Sequence, residues 1–144
     1  MQDLPHLYRV SASAEGKSNV VLSSDGLPDL ETAGPPEFGG PGDVWSPETL
    51  LVGAVADCFV LSFRAIARTA RLDWTALECH VEGELDKVEK LTQFVGFSVR
   101  ATLTIPDEKD RRKAGIILEK AEKYCLITNS MKADSHLEGE VVVA

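Results

Sequence analysis

Residues 46–69 read SPETLLVGAVADCFVLSFRAIART, the longest apolar stretch in the chain. Ser46 can cap free N–H groups, Pro47 suits a first helical position, and Glu48 stands at the positive end of the helix dipole, so a helix begins here. Thr49 occupies the place where a full capping box would have Glu or Gln. The spacing predicts a helix over 47–69, roughly 35 Å long at 1.5 Å per residue. Leu50, Leu51, Val52, Val55, Cys58, Phe59, Leu61, Phe63 and Ile66 cover most of its circumference, the pattern of a buried helix. One small domain has difficulty surrounding so long a helix on every side. A second copy of the chain is the simplest cover, and an intimate homodimer is the expectation.

Upstream lies GPPEFGGPGDVWS, residues 34–46, too dense in Gly and Pro to continue a helix or a central strand. It leads directly into the helix, and Phe38 and Trp45 are read either as walls of a substrate pocket or as loop packing and dimer contacts. Further upstream, residues 8–14 alternate, with Tyr8, Val10, Ala12 and Ala14 on one face, as a half-buried strand does. A turn at residues 15–19, a strand at 20–23, a turn at Ser24-Asp25-Gly26 and an edge strand at 27–32 interrupted by Pro28 complete a meander.

Downstream, residues 75–85 place Leu77, Cys79, Val81 and Leu85 inward, and residues 95–105 do the same through Phe97, Val99, Ala101 and Leu103, giving a long antiparallel hairpin. Pro106 ends it and Asp107 can cap a second helix, whose inner face is Ala114, Ile117, Leu118 and Ala121 and which closes at Lys123 or Tyr124. Cys125 continues that apolar face, and a last strand runs over 136–143. The order β-β-β, long α, β-β, α, β is an α+β architecture, and 144 residues suit a single domain.

With 15 Lys+Arg against 23 Asp+Glu the net charge is −8, which repels phosphate backbones and anionic lipid, so neither nucleic acid nor a membrane surface is an expected partner. The N-terminus lacks a basic start followed by an apolar stretch, and a cytoplasmic address is the default expectation. Residues 50–61, broken by Asp57 and followed by Arg64 and Arg68, read as well short of the ~20 apolar residues that span a bilayer.

The three cysteines are too few for a disulfide framework. Cys79 is in phase with the buried face of its strand and reads as a small hydrophobe. Cys58 lies three turns into its helix, beyond the reach of the helix dipole, so an activated thiol there needs a cation, for which Lys17 and Arg64 are candidates. Nothing local marks Cys125 as reactive. No Cys-x-x-Cys occurs and His6, His80 and His136 are scattered, so neither a metal site nor a cofactor is implied; phosphate-binding and serine-hydrolase motifs are also absent.

Taken together, Glu37-Phe38-Gly39-Gly40-Pro41-Gly42, Ser46-Pro47-Glu48-Thr49-Leu50-Leu51, Ala54-Val55-Ala56-Asp57-Cys58-Phe59 and Ala121-Glu122-Lys123-Tyr124-Cys125-Leu126-Ile127-Thr128-Asn129-Ser130 closely resemble the OsmC/Ohr family of thiol-dependent peroxidases, over nearly the whole chain. The resemblance implies an intertwined α+β homodimer with antiparallel sheets wrapped around two long central helices. It also implies that Cys58 is the peroxidatic cysteine and Cys125 the resolving one. A Cys58 thiolate would reduce an organic hydroperoxide, become a sulfenic acid and condense with Cys125 to a disulfide that an external thiol reduces; dihydrolipoyl groups serve some members. In many members an arginine from the first hairpin turn meets the thiolate and is held by the glutamate of the Pro-Glu helix start. Glu48 matches that glutamate, and Lys17 takes the arginine position when Glu15-Gly16-Lys17 is aligned on that turn; Arg9 replaces it only in another strand register. Lysine provides one point charge where a guanidinium bridges thiolate and carboxylate. Asp57 beside Cys58 opposes thiolate formation unless solvated or paired. Two other functions use the same residues: a small-molecule binding module whose chemistry has faded with Lys17, and a redox sensor signalling through the disulfide.

Overall fold

The computed structural model describes residues 1–144, which form two compact units, Met1–Leu50 and Leu51–Ala144. In the first, β1 (Ser11–Ser13), β2 (Val20–Ser23) and β3 (Leu30–Thr32) make an antiparallel meander in which Ala12 faces Leu22 and Val21 faces Glu31. The alternation over residues 8–14 produces only three paired residues, because no strand lies opposite Tyr8 and Val10, which are exposed. The third strand begins at Leu30 and not at Leu27, since Pro28 has no N–H to give to a ladder.

The Gly/Pro segment closes on itself. Pro36–Phe38 forms a 3-10 turn, and the N–H groups of Phe38 and Gly40 both donate to the Pro35 carbonyl, at 2.9 and 3.0 Å. A Cβ at Gly40 would land on the backbone carbonyl of Gly34, so only glycine fits. Thr32 then pairs in parallel with Trp45, and the Ala33 N–H donates to the Trp45 carbonyl at 3.0 Å.

Helix α1 (Pro47–Thr69) has the bounds its sequence predicts. Its start corrects one expectation. The Ser46 hydroxyl accepts the Thr49 N–H at 3.1 Å while the Thr49 hydroxyl accepts the Ser46 N–H at 2.8 Å, a reciprocal capping box in which threonine does the work of Glu or Gln. Only Val55, Phe59, Phe63 and Ala67, four residues apart in turn, are buried within this chain, while Leu51 and Leu61 remain 37% and 52% exposed. A second expectation also changes. An 18-residue window of α1 has a mean hydropathy of 1.9, so by length and composition the helix could cross a membrane, a test that core helices of globular proteins also pass.

The helix ends on a Schellman motif. The Leu72 N–H donates to the Ala67 carbonyl at 3.0 Å and the Arg71 N–H to the Arg68 carbonyl at 3.2 Å, with Arg71 itself at φ 52. Leu72 and Ala67 are both buried at this corner, and the Phe63 ring meets the Trp74 ring edge-on at 5.2 Å.

In the second unit β4 (Ala76–Val88) and β5 (Leu91–Ile105) pair along their whole length around the two-residue turn Glu89-Lys90, in which both residues have positive φ. The register shifts between Glu84 and Leu85, where Glu84 faces Gly96 but Leu85 faces Phe94, leaving Val95 unpaired as a bulge. Beyond the bulge the inward phase inverts. Leu85 and Val95 are each 37% exposed, against the simple alternation, and Phe94 turns inward to stack on Phe97 at 5.3 Å. Helix α2 (Arg111–Lys123) buries Ala114, Ile117, Leu118 and Ala121 as its pattern predicts. A short helix α3 (Leu126–Asn129), absent from the sequence reading, precedes β6 (Asp134–Val143). β6 runs parallel to β5, so the second sheet is mixed and not purely antiparallel. Phe97, Val99, Ala101 and Leu103 of the central strand share one core with the buried faces of α1 and α2.

Candidate active site

Cys58 reaches the site from the third turn of α1, on the flank of its buried stripe, and is half-buried. Cys125 arrives where α2 ends. The Tyr124 N–H closes the helix on the Lys120 carbonyl at 2.9 Å, and Cys125 turns to extended geometry and starts α3. Its carbonyl accepts the Asn129 N–H at 3.0 Å and the Thr128 hydroxyl at 3.1 Å, and the Asn129 side-chain amide donates back to the Lys123 carbonyl at 3.1 Å. Ser130 donates its hydroxyl to the Leu126 carbonyl at 2.7 Å. The Asn-Ser pair that follows Cys125 in sequence therefore fixes the corner carrying it, and the Cys125 side chain is 1% exposed.

This corner carries Cys125 near enough to Cys58 to act on its thiol, and both cysteines are free. Burial pushes the Cys58 thiol above its ordinary value; the Ile127 backbone N–H pulls it down, the Cys125 thiol pushes it further up, and the Ser62 hydroxyl pulls it down. None of the groups acting on Cys58 is a cation. Arg64, a candidate from sequence, is exposed six residues further on, about 120° away around the helix. Asp57 is exposed and solvated, and its charge is not among those acting on Cys58. Cys79, half-buried on β4, is pushed up to about 11 by burial and by the neighbouring Cys125.

The other sequence candidates lie in the first unit. Lys17 is exposed in the connection from β1 to β2, and Phe38 and Trp45 are 64% and 52% exposed. Glu48 stands in the first turn of α1 with its Oε2 atom buried and without a hydrogen-bond partner. A buried carboxylate oxygen in that state costs free energy until a donor or cation meets it.

One feature escaped the sequence reading. A cavity of about 240 Å³ in the second unit is lined by Leu51, Phe94, Phe97, Met131 and Ala133, with Gln93 and Lys132 among its walls. Leu51 and Cys58 are seven residues apart on one stripe of α1, about 10 Å along its axis. Phe94 joins this lining because of the bulge at Val95, which simple alternation does not reveal.

The family model described as OsmC-like protein matches residues 40–139, well over half of the chain. The chain belongs to the OsmC-like family. It is 25% identical over 130 residues to an organic hydroperoxide resistance protein of Xanthomonas axonopodis pv. citri, 89% of each chain. It is 22% identical over 112 residues to an uncharacterised protein of Bacillus subtilis, 76% of this chain and 75% of that one. Among solved structures, it superposes with a TM-score of 0.84 and 17% identity on an OsmC-like protein of unknown function from Vibrio cholerae, covering 96% of this chain and 100% of the other. An organic hydroperoxide resistance protein, OsmC, from Legionella pneumophila matches with a TM-score of 0.74 and 27% identity over 96% of this chain and 100% of that one. The OsmC-like fold, mixed α+β, is thus common to proteins whose names carry hydroperoxide resistance and to proteins without an assigned function.

Proposed function

We propose that this OsmC-like protein is a thiol peroxidase that reduces organic hydroperoxides, with Cys58 as the attacking thiol and Cys125 as the resolving one. The observation that carries the reading is the meeting of these two free thiols, far apart in sequence, at the corner between α2 and α3. The Cys58 thiolate attacks the terminal oxygen of ROOH. The O–O bond breaks, RO⁻ leaves and takes up a proton to become the alcohol, and Cys58 becomes a sulfenic acid. Cys125 then attacks the sulfenic sulfur, the S–S bond forms and water leaves; an external dithiol, of which a dihydrolipoyl group is one class, returns two electrons and two protons. The apolar cavity at Leu51, Phe94 and Phe97 favours an alkyl or aryl substituent over hydrogen peroxide.

Burial alone opposes the thiolate, so the reading needs a cation, and we assign it to Lys17 held by Glu48, whose unpartnered Oε2 calls for one. A homodimer, in which a second copy covers the open face of α1, completes the assembly; the exposed Leu51 and Leu61 support it. The upward push on Cys58 favours a second reading, a binding or redox-sensing protein with little turnover.

Adding one equivalent of cumene hydroperoxide to the reduced protein, followed by rapid alkylation and disulfide mapping, separates the two. The peroxidase reading predicts a Cys58–Cys125 disulfide within seconds and no hydroperoxide consumption by Cys58→Ser. Thiols still free after minutes would leave the binding reading in its place.

A further inference from the structure

Ser62 stands one helical turn beyond Cys58 on α1, half-buried, with its Oγ 4.0 Å from the Cys58 sulfur. A serine inside a helix commonly turns its hydroxyl back to the carbonyl four residues earlier. Here that residue is Cys58, and the hydroxyl lies against its sulfur instead, its one side-chain hydrogen-bond partner in the fold. The backbone N–H of Ile127, on α3, also acts on this sulfur and lowers the thiol's pKa. Two neutral donors therefore converge on the atom that the proposed reaction makes negative, from two separate elements of the second unit.

We propose that Ser62 is a catalytic hydrogen-bond donor which, together with the Ile127 N–H, holds the Cys58 thiolate and aims it at the hydroperoxide. The inference rests on the reading of Cys58 as the attacking thiol. With Cys58 protonated, the sulfur can give its own proton to Ser62 or Cys125, and the serine contact favours neither state strongly. Once the thiol proton has passed to solvent, only donation from Ser62 to sulfur remains, so the contact strengthens on ionisation. Two of the three sulfur lone pairs are then engaged and the third is left for the O–O bond. Ser62 keeps its proton throughout, and the alkoxide leaving group takes its proton from water. The arrangement supplies part of the stabilisation that a guanidinium would give, at a site whose candidate cation is the single point charge of Lys17.

The test follows iodoacetamide alkylation of the Cys58-containing peptide in the intact protein by mass spectrometry, across pH, in the wild type, Ser62→Ala and Ser62→Thr. Alkylation reads the thiolate directly and needs no turnover. Cys125, the ionisable neighbour that pushes the Cys58 thiol up, and the proposed cation Lys17 are unchanged in all three proteins. The expected result is a Cys58 profile displaced to higher pH in Ser62→Ala, with the rate at neutral pH about threefold to tenfold lower, and a return toward wild type in Ser62→Thr, which restores a hydroxyl. Superimposable profiles in wild type and Ser62→Ala would overturn the role of Ser62, whatever the peroxidase assay shows. Conversely, a displaced profile in a protein that consumes no hydroperoxide would reject the peroxidase reading and keep the serine contact.

Discussion

Gly83 pairs with Phe97 across the β4–β5 ladder, and a Cβ placed on Gly83 would come within 3.0 Å of a carbon of the Phe97 ring. The same Cβ would lie 2.8 Å from Val52 Cγ2 on α1 and 2.9 Å from a carbon of the Phe94 ring. A missing side chain therefore makes the space into which two stacked rings and a helix side chain converge, and two of those rings' residues also line the apolar cavity. Gly83→Ala is expected to destabilise the fold by about 1–3 kcal/mol, since rings and helix must all give way. Urea denaturation measures this. A midpoint within error of wild type would show that the cavity can absorb the methyl group.

Arg71 occupies a left-handed position at the end of α1 that glycine usually takes, with φ 52. Its carbonyl accepts the Lys113 ammonium at 3.1 Å, a contact that uses backbone alone and survives substitution. Arg71→Gly relieves the Cβ strain but adds freedom to the unfolded chain, and the net expectation is a gain of about 0.5 kcal/mol. A lowered melting temperature would instead assign the arginine side chain a stabilising role.

Much of this fold is legible in the sequence because its long helices obey one rule each. Pro47 to Thr69 is announced by Ser46-Pro47-Glu48 and sustained by apolar residues, and the inner face of α2 follows a 3.6-residue period without exception. What escapes notice is decided by pairing. Glu89-Lys90 carries no Asn-Gly signal, yet both residues adopt positive φ, because two long strands joined by two residues demand that turn. The bulge at Val95 has no local signature either, and it is what turns Phe94 into the cavity. Family resemblance, not pattern, marks Cys58 and Cys125, since each sits amid apolar residues as a packing cysteine does. Ser62 gave no signal at all: a serine one turn from a cysteine in a helix is unremarkable until the direction of its hydroxyl is known.

Cys79 should resist ionisation in the folded protein. Its ordinary value of 9.0 is raised to about 11 because burial and the nearby Cys125 both disfavour a second negative charge. A thiol raised on folding leaves stability intact below pH 9, where folded and unfolded states are both protonated. Between about pH 9 and 11 the unfolded chain ionises first, and stability falls. The urea midpoint of the wild type should therefore drop more between pH 8 and pH 10.5 than that of Cys79→Ala. Equal drops in the two proteins would show that Cys79 ionises as freely folded as unfolded.

Leu61 tests the assembly. It is 52% exposed on α1 and lies on the stripe Leu51, Ala54, Cys58, Leu61 and Ala65, which runs along the flank of the buried Val55, Phe59, Phe63 and Ala67. A helix with this much bare apolar surface is poorly placed in water, and a second copy of the same stripe is the cover that the homodimer proposal requires. Leu61→Glu puts a carboxylate at the middle of such an interface, where it must be desolvated against apolar side chains, while leaving the buried stripe of its own chain untouched. The dimer dissociation constant is expected to rise about a hundredfold, and the rate of hydroperoxide consumption to fall with it, because Cys58 shares the stripe and loses its cover. Sedimentation at micromolar concentration reads the first effect directly. A wild-type chain that sediments as a monomer, or a Leu61→Glu chain that remains a dimer, would remove this stripe from the interface.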